Sequence, residues 1–184
     1  MATSRDRATL RAVGRDLVFT KLSHFERAWE FESEGTLKML RALTDASLAQ
    51  AVAPQERTLG RLAWHITTTL GEMMGRTGLK LAGPGEHAPL PATAAAIVAG
   101  YEAAAASLLP AIRAGWTDET LQQSDDMYGD TWKRGLTLTV LISHQTHHRG
   151  QMTVLMRQAG LKVPGIYGPA REEWAGMGLN PPAV

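Results

Sequence analysis

Two histidines four residues apart, His144 and His148, lie inside a stretch that otherwise reads as a helix packed on a core: His144-Gln-Thr-His-His148-Arg-Gly-Gln151. At about 100° per residue the two imidazoles are about 40° apart on a helix, so they stack on one face. Thr137, Val140, Leu141, Gln151 and Leu155 share that face. Two imidazoles in an apolar stripe are aimed inward, where a ring without a partner is costly. A metal ion satisfies both rings at once, and so does an ordinary hydrogen-bonded pair. Two imidazoles seldom hold an ion alone, which directs attention to the other histidines. His87 falls in a Gly/Pro loop and His24 at a helix start. His147 is about 80° from the stripe centre, a place beside the ligands rather than among them. His65, in Leu62-Ala-Trp-His-Ile66, sits at the edge of another helix's apolar face, where the spacing permits an inward ring without requiring one. Three neutral imidazoles would leave a position for water or substrate, as in catalytic rather than structural zinc sites.

Several groups are candidates to orient the ligands or move a proton. Gln151 shares the inward stripe, and Glu72, Glu30, Asp125 and Asp126 are the acidic choices; spacing selects none of them. Arg149 points about 120° away from the stripe, which favours a structural or interface role. Trp29, Trp132 and Tyr101 read as core residues. The chain has no cysteine, so disulfides, thiolate-bound zinc and a cysteine nucleophile are excluded. Gln145 stands where an H-E-x-x-H metalloprotease carries its general base, no Glu-x-x-His occurs, and neither a nucleophile elbow nor a phosphate loop is present.

The residues that would position these groups form four helical patterns, rich in Ala, Leu, Met, Arg and Glu. The first spans about 23–43, with Ser23 and Glu26 as a capping box. The second spans about 58–76, with Thr58 as N-cap and Gly78 just past its end. The third spans about 93–114, with Pro110 predicting a kink or an early stop. The fourth spans about 132–159 and ends at Gly160. Residues 83–91 and 117–130 read as loops, and strand signals are poor. The expected fold class is all-α: a single-domain four-helix bundle over residues 1–184 with the metal site in its core. Residues 1–22 form an N-terminal extension with room for a short helix, and 162–184 a Pro/Gly-rich tail that Tyr167 and Trp174 pack on the bundle. Charge is balanced, 19 basic against 18 acidic residues, without the basic footprint of a nucleic-acid binder. Stretches such as Leu136 to Ile142 are too short to span a membrane, and no secretory signal is visible, so a cytoplasmic location is expected.

Three segments carry a family resemblance: Arg57-Thr-Leu-Gly-Arg-Leu-Ala-Trp-His-Ile66, His144-Gln-Thr-His-His-Arg-Gly-Gln-Met152 and Val163-Pro-Gly-Ile-Tyr-Gly-Pro169. From about Ser23 to Trp174 the chain resembles the DinB/YfiT-like superfamily of bacterial four-helix-bundle metalloenzymes. The resemblance implies a three-histidine site made by His65, His144 and His148 for a divalent ion, zinc or nickel being typical, and a homodimer. Such relatives include thiol transferases that use bacillithiol-like cofactors and a mycothiol-dependent isomerase. The expectation is therefore a metal-dependent transferase or hydrolase acting on a small electrophilic substrate, with a low-molecular-weight thiol supplied from outside. The alternative is a non-catalytic metal- or ligand-binding dimeric bundle of the stress response.

Overall fold

The computed structural model describes residues 18–183. It contains four long helices, α1 (Leu22–Arg41), α2 (Leu59–Arg76), α3 (Ala94–Gly115) and α4 (Arg134–Gln158), and a short antiparallel hairpin of β1 (Ser124–Met127) and β2 (Asp130–Lys133). The short helix expected in the N-terminal extension falls mainly on residues 1–17 and lies outside the described residues.

Local chemistry sets most helix ends. The hydroxyls of Thr58 and Thr93 accept from the backbone N–H groups of Arg61 and Ala96, capping α2 and α3. Gly160 adopts the left-handed conformation (φ 74°) just past α4. Two expectations fail. The Ser23–Glu26 capping box does not form; Ser23 is already helical, and the Asp118 carboxylate, distant in sequence, accepts from the Leu22 N–H (2.8 Å) and from Lys21 Nζ (2.9 Å). Of the two outcomes expected of Pro110, a kink or an early stop, the early stop does not occur: α3 runs on to Gly115. Pro110 and Ala106, whose carbonyl loses its partner, both lie on the exposed side, where solvent can take the missing bond.

The stretch expected to be loop between α3 and α4 holds the hairpin. Its turn, Tyr128-Gly129, has positive φ at both residues (59° and 78°), the primed geometry that matches strand twist. Sequence reading missed it because Tyr-Gly replaces the usual Asn-Gly and the four-residue strands are acidic. Trp132 accordingly lies in β2, and α4 starts at Arg134.

The main packing contacts join α1 to α3, α3 to α2, α2 to α4 and α4 back to α1, closing the bundle. Phe25, Trp29, Leu40, Ile66, Leu70, Ile97, Tyr101, Leu108, Leu138, Leu141 and Met156 fill its core. By length and composition α3 could cross a membrane, which the sequence reading had not noted. Here its Ile97, Tyr101, Leu108 and Ile112 face the core, and much of its remaining apolar character is alanine.

A buried ion pair ties the site-bearing helix to α1 and to the tail. Arg149, 3% exposed, bonds the Glu32 carboxylate through Nη2 and the Glu32 carbonyl (2.7 Å) and Thr36 hydroxyl (3.2 Å) through Nη1. The Tyr167 hydroxyl accepts from Arg149 Nη2 (2.7 Å) and donates to Glu32, which draws the tail onto the seam of α1 and α4. Gly35 leaves room for this crossing, since a Cβ there would lie 2.8 Å from Ile166 and 3.1 Å from Arg149. Beside it, Gln145 Oε1 accepts from Thr36 (2.9 Å) and from the buried Tyr101 hydroxyl (2.6 Å). Removing one partner strands a buried charge. Arg149→Ala is expected to lower unfolding free energy by about 3–5 kcal/mol in urea titrations; a change within experimental error would show that the pair does not hold α1, α4 and the tail together.

Candidate metal centre

His65 occupies the middle of α2, and His144 and His148 occupy consecutive turns near the middle of α4. Because α2 and α4 are packed neighbours, the three rings meet across their seam. His144 Nε2 lies 3.1 Å from Nε2 of His65 and 3.1 Å from Nε2 of His148, and the ligand atoms of the three all fall within 4.8 Å of one another. Three nitrogens held tetrahedrally at about 2.0–2.1 Å from one ion would be roughly 3.3 Å apart. The rings stand edge-on to one another (67°, 82° and 79°), so their nitrogens converge while their faces do not stack. The cluster is not sealed in the core as expected: His148 is buried, but His65 and His144 are only half-buried.

Tautomers inferred from the hydrogen bonds leave the cluster short of protons. Gln151 Oε1 lies 2.7 Å from His148 Nδ1, which must donate, leaving a lone pair on Nε2. The Thr69 hydroxyl donates to the His65 carbonyl (2.7 Å), and its oxygen faces His65 Nδ1 at 3.4 Å, favouring the same tautomer there. His144 Nε2 carries at most one proton for two contacts, so at least one pair of nitrogens has no proton between them. A cation at their meeting point removes that conflict. Extra protons do not, because burial pushes His65 and His144 down to about 4, and His148 is also lowered, again chiefly by burial. His144 Nδ1 is buried without a hydrogen-bond partner among the described residues. Neutral imidazoles are the form that ligates metal.

The other candidates separate clearly. Gln151 orients His148. His147 is exposed and only lays its ring edge on His148, centroids 4.9 Å apart. Glu72 bonds neither imidazole Nδ1 nor Nε2; its carboxylate takes the Arg76 guanidinium and the Tyr128 hydroxyl (2.6 Å), pinning the hairpin to α2. Asp125 pairs with Arg134, and Asp126 accepts from the Gly129 N–H. Glu30 lines a groove of about 470 Å³ between α1 and α3, whose lining includes none of the three histidines. Trp29 and Tyr101 are buried as expected, and Trp132 is half-buried. Sequence reading gave no role to Glu32, Thr36 and Tyr128; their signal was absent because the distant partners that fix them are 52 to 135 residues away, and Tyr128 belongs to an unexpected hairpin.

A model of the DinB family matches residues 18–182. The chain belongs to the DinB family. It is 48% identical over 167 residues to the uncharacterized protein YrdA of Bacillus subtilis, covering 91% of this chain and all of that one. Its fold superposes on the crystal structure of a DinB-like protein from Bacillus cereus with a TM-score of 0.78 and 45% identity, covering 81% of this chain and 99% of that one.

Two outcomes follow from the geometry. In metal-free protein the depressed imidazoles stay neutral while the unfolded chain's titrate near 6.5. Above pH 6.5 they add no pH dependence; from about 6.5 down to about 4 the unfolded state gains protons first, so stability falls. The difference between wild type and His144→Asn in denaturant titrations from pH 8 to 4 should show this slope, and parallel profiles would refute it. Gln151→Ala, which frees the His148 ring, should weaken zinc binding by about 10–100-fold in competition with a chelator.

Proposed function

We propose that this DinB-family protein is a metal-dependent enzyme that activates a nucleophile at a three-histidine centre. His65, His144 and His148 hold the divalent ion, zinc or nickel, and the convergence of their three Nε2 atoms at a half-buried seam is the observation that carries the reading. Such an ion supplies Lewis acidity at an open position, turning water or a thiol into a nucleophile near neutral pH. Everything else is done by the chain. Burial keeps the three imidazoles neutral and ready to donate lone pairs. Gln151 fixes the His148 tautomer, and the Arg149–Glu32 pair anchors the turn of α4 that presents it. Among the described residues no carboxylate bonds the histidine cluster, so all three donors are uncharged and an ion there keeps its double positive charge.

The chemistry is substitution on, or hydrolysis of, a small electrophile. The resemblance noted in the sequence supports the thiol-dependent form, and the absence of cysteine means that the thiol comes from a low-molecular-weight cofactor.

The test starts from protein purified without a histidine tag. Elemental analysis should find one zinc or nickel per chain in wild type and a fraction of that in His148→Ala. Metal-loaded wild type should then consume an alkyl halide or epoxide in the presence of a small thiol, or hydrolyse an activated ester, with at least about tenfold loss in the variant. No metal in either protein after reconstitution overturns the centre. Bound metal with no turnover across thiols and esters overturns the enzyme and leaves a metal-binding bundle.

A further inference from the structure

Across the seam that holds the cluster, α2 and α4 share a single side-chain hydrogen-bond contact among the described residues, that of His65 with His144. Gln151, which orients the His148 ring, rides on α4 itself. It therefore sets the tilt of the ring and not the place of the helix. The polar contacts that fix this stretch of α4 lie on its other side. There Gln145 bonds Thr36 and Tyr101, and Arg149 bonds Glu32 and Thr36, all from α1 or α3. The one further partner of Arg149 outside α4 is the Tyr167 hydroxyl, which comes from the tail.

The tail presents Tyr167 from a loop closed on itself. The Glu173 carboxylate accepts from the N–H groups of Gly165 (3.1 Å) and Ala170 (2.9 Å), and the Gly168 carbonyl leaves no room for a Cβ at Gly165. Buried Val163 and half-buried Ile166 hold this loop to the bundle. From it the Tyr167 hydroxyl reaches inward. It meets Arg149 Nη2 (2.7 Å), both carboxylate oxygens of Glu32 (2.7 and 2.8 Å) and the Thr146 hydroxyl (3.2 Å). The ring stays outside: Tyr167 is 64% exposed and leans on Phe31, itself 51% exposed, with centroids 5.7 Å apart. With so little apolar surface buried, this contact can open locally without unfolding the bundle. Opening leaves Glu32 and Arg149 one partner short, although both are more than nine-tenths buried.

We propose that Tyr167 is a positioning residue for the three-histidine centre: its hydroxyl locks Arg149, Arg149 fixes the turn of α4 that presents His148, and tail docking and metal binding strengthen each other. This rests on the metal-centre reading above. The demand on placement is strict. The ring centroids of His65 and His148, on different helices, are 4.8 Å apart, and metal–ligand distances tolerate only about 0.2 Å of error. By linkage, the factor by which the docked tail raises metal affinity is the factor by which the metal favours the docked tail.

The test measures both directions of that linkage in the full-length protein. Zinc affinity is read by competition with a chelator, at a temperature where every variant is folded. Tyr167→Phe, which removes the hydroxyl and keeps the ring, should weaken zinc by about 5-fold or more, the lower end of ordinary coupling between two sites. Glu172→Gln, which breaks the exposed tie of the tail to Arg157 (3.2 Å) without touching Arg149, should stay within about 2-fold of wild type. In the reverse direction, zinc should slow amide hydrogen exchange of residues 163–169 in wild type by about 5-fold or more, and by clearly less in Tyr167→Phe. A merely structural tyrosine would not make tail exchange depend on zinc. A smaller loss in Tyr167→Phe, an equal loss in Glu172→Gln, or tail exchange that zinc leaves unchanged overturns the positioning role while the metal centre stands. Wild type that binds no zinc overturns the centre and the positioning role together.

Discussion

Three imidazole nitrogens, with His144 Nε2 only 3.1 Å from each of the other two, cannot all be satisfied by the protons available to them, and that conflict sits at the seam of α2 and α4. Burial disfavours extra protons on the rings. Gln151 and Thr69 consume the Nδ1 protons of His148 and His65 on the far side. What remains is a converging set of nitrogen donors of the kind that could hold a metal ion. A site of this kind costs stability when empty, and linkage returns that stability when the ion binds the folded state alone.

The cost is supportable because the scaffold around it is tightly held. Arg149 follows His148 immediately, and its guanidinium is locked between Glu32, Thr36, Thr146 and Tyr167. The same turn of α4 thus carries one of the three histidines and a buried ion pair to α1. Gln145, the residue after His144, is fixed by Thr36 and Tyr101 in the same way. The run His-Gln-Thr-His-His-Arg-Gly-Gln therefore alternates between two tasks on two sides of one helix: His144, His148 and Gln151 face the seam with α2, while Gln145 and Arg149 face α1 and the tail. Replacement of either set would disturb the other through the shared backbone.

On the opposite wall, α2 lines up Arg61, His65, Glu72 and Arg76 along one edge. The hairpin closes over the C-terminal end of this edge, with Tyr128 bonded to Glu72 and stacked 4.4 Å from the Arg76 guanidinium. At the N-terminal end Arg61 is exposed and has no carboxylate partner among the described residues. The polarity of the seam is thereby set by which charges the bundle neutralises internally and which it leaves facing solvent.

Much of this was legible from residue order alone. Periodicity located the four helices to within a few residues, the threonine cap of α2 follows from side-chain chemistry next to the turn, and the i, i+4 spacing put His144 and His148 on one face. These are local effects, decided within one or two turns. Tertiary structure decided the rest. Only the pairing of α2 with α4 brings His65 to the other two rings. Asp118 replaces Ser23 as the cap of α1 across almost 100 residues of chain, and Glu32 and Tyr167 find Arg149 across still longer or unforeseeable paths. The hairpin escaped because its strands are short, polar and stabilised by what Tyr128 and Met127 touch rather than by their own propensity. Interactions that close over long separations leave no periodic trace in the sequence, and in this protein those are the ones that turn three scattered histidines into one centre.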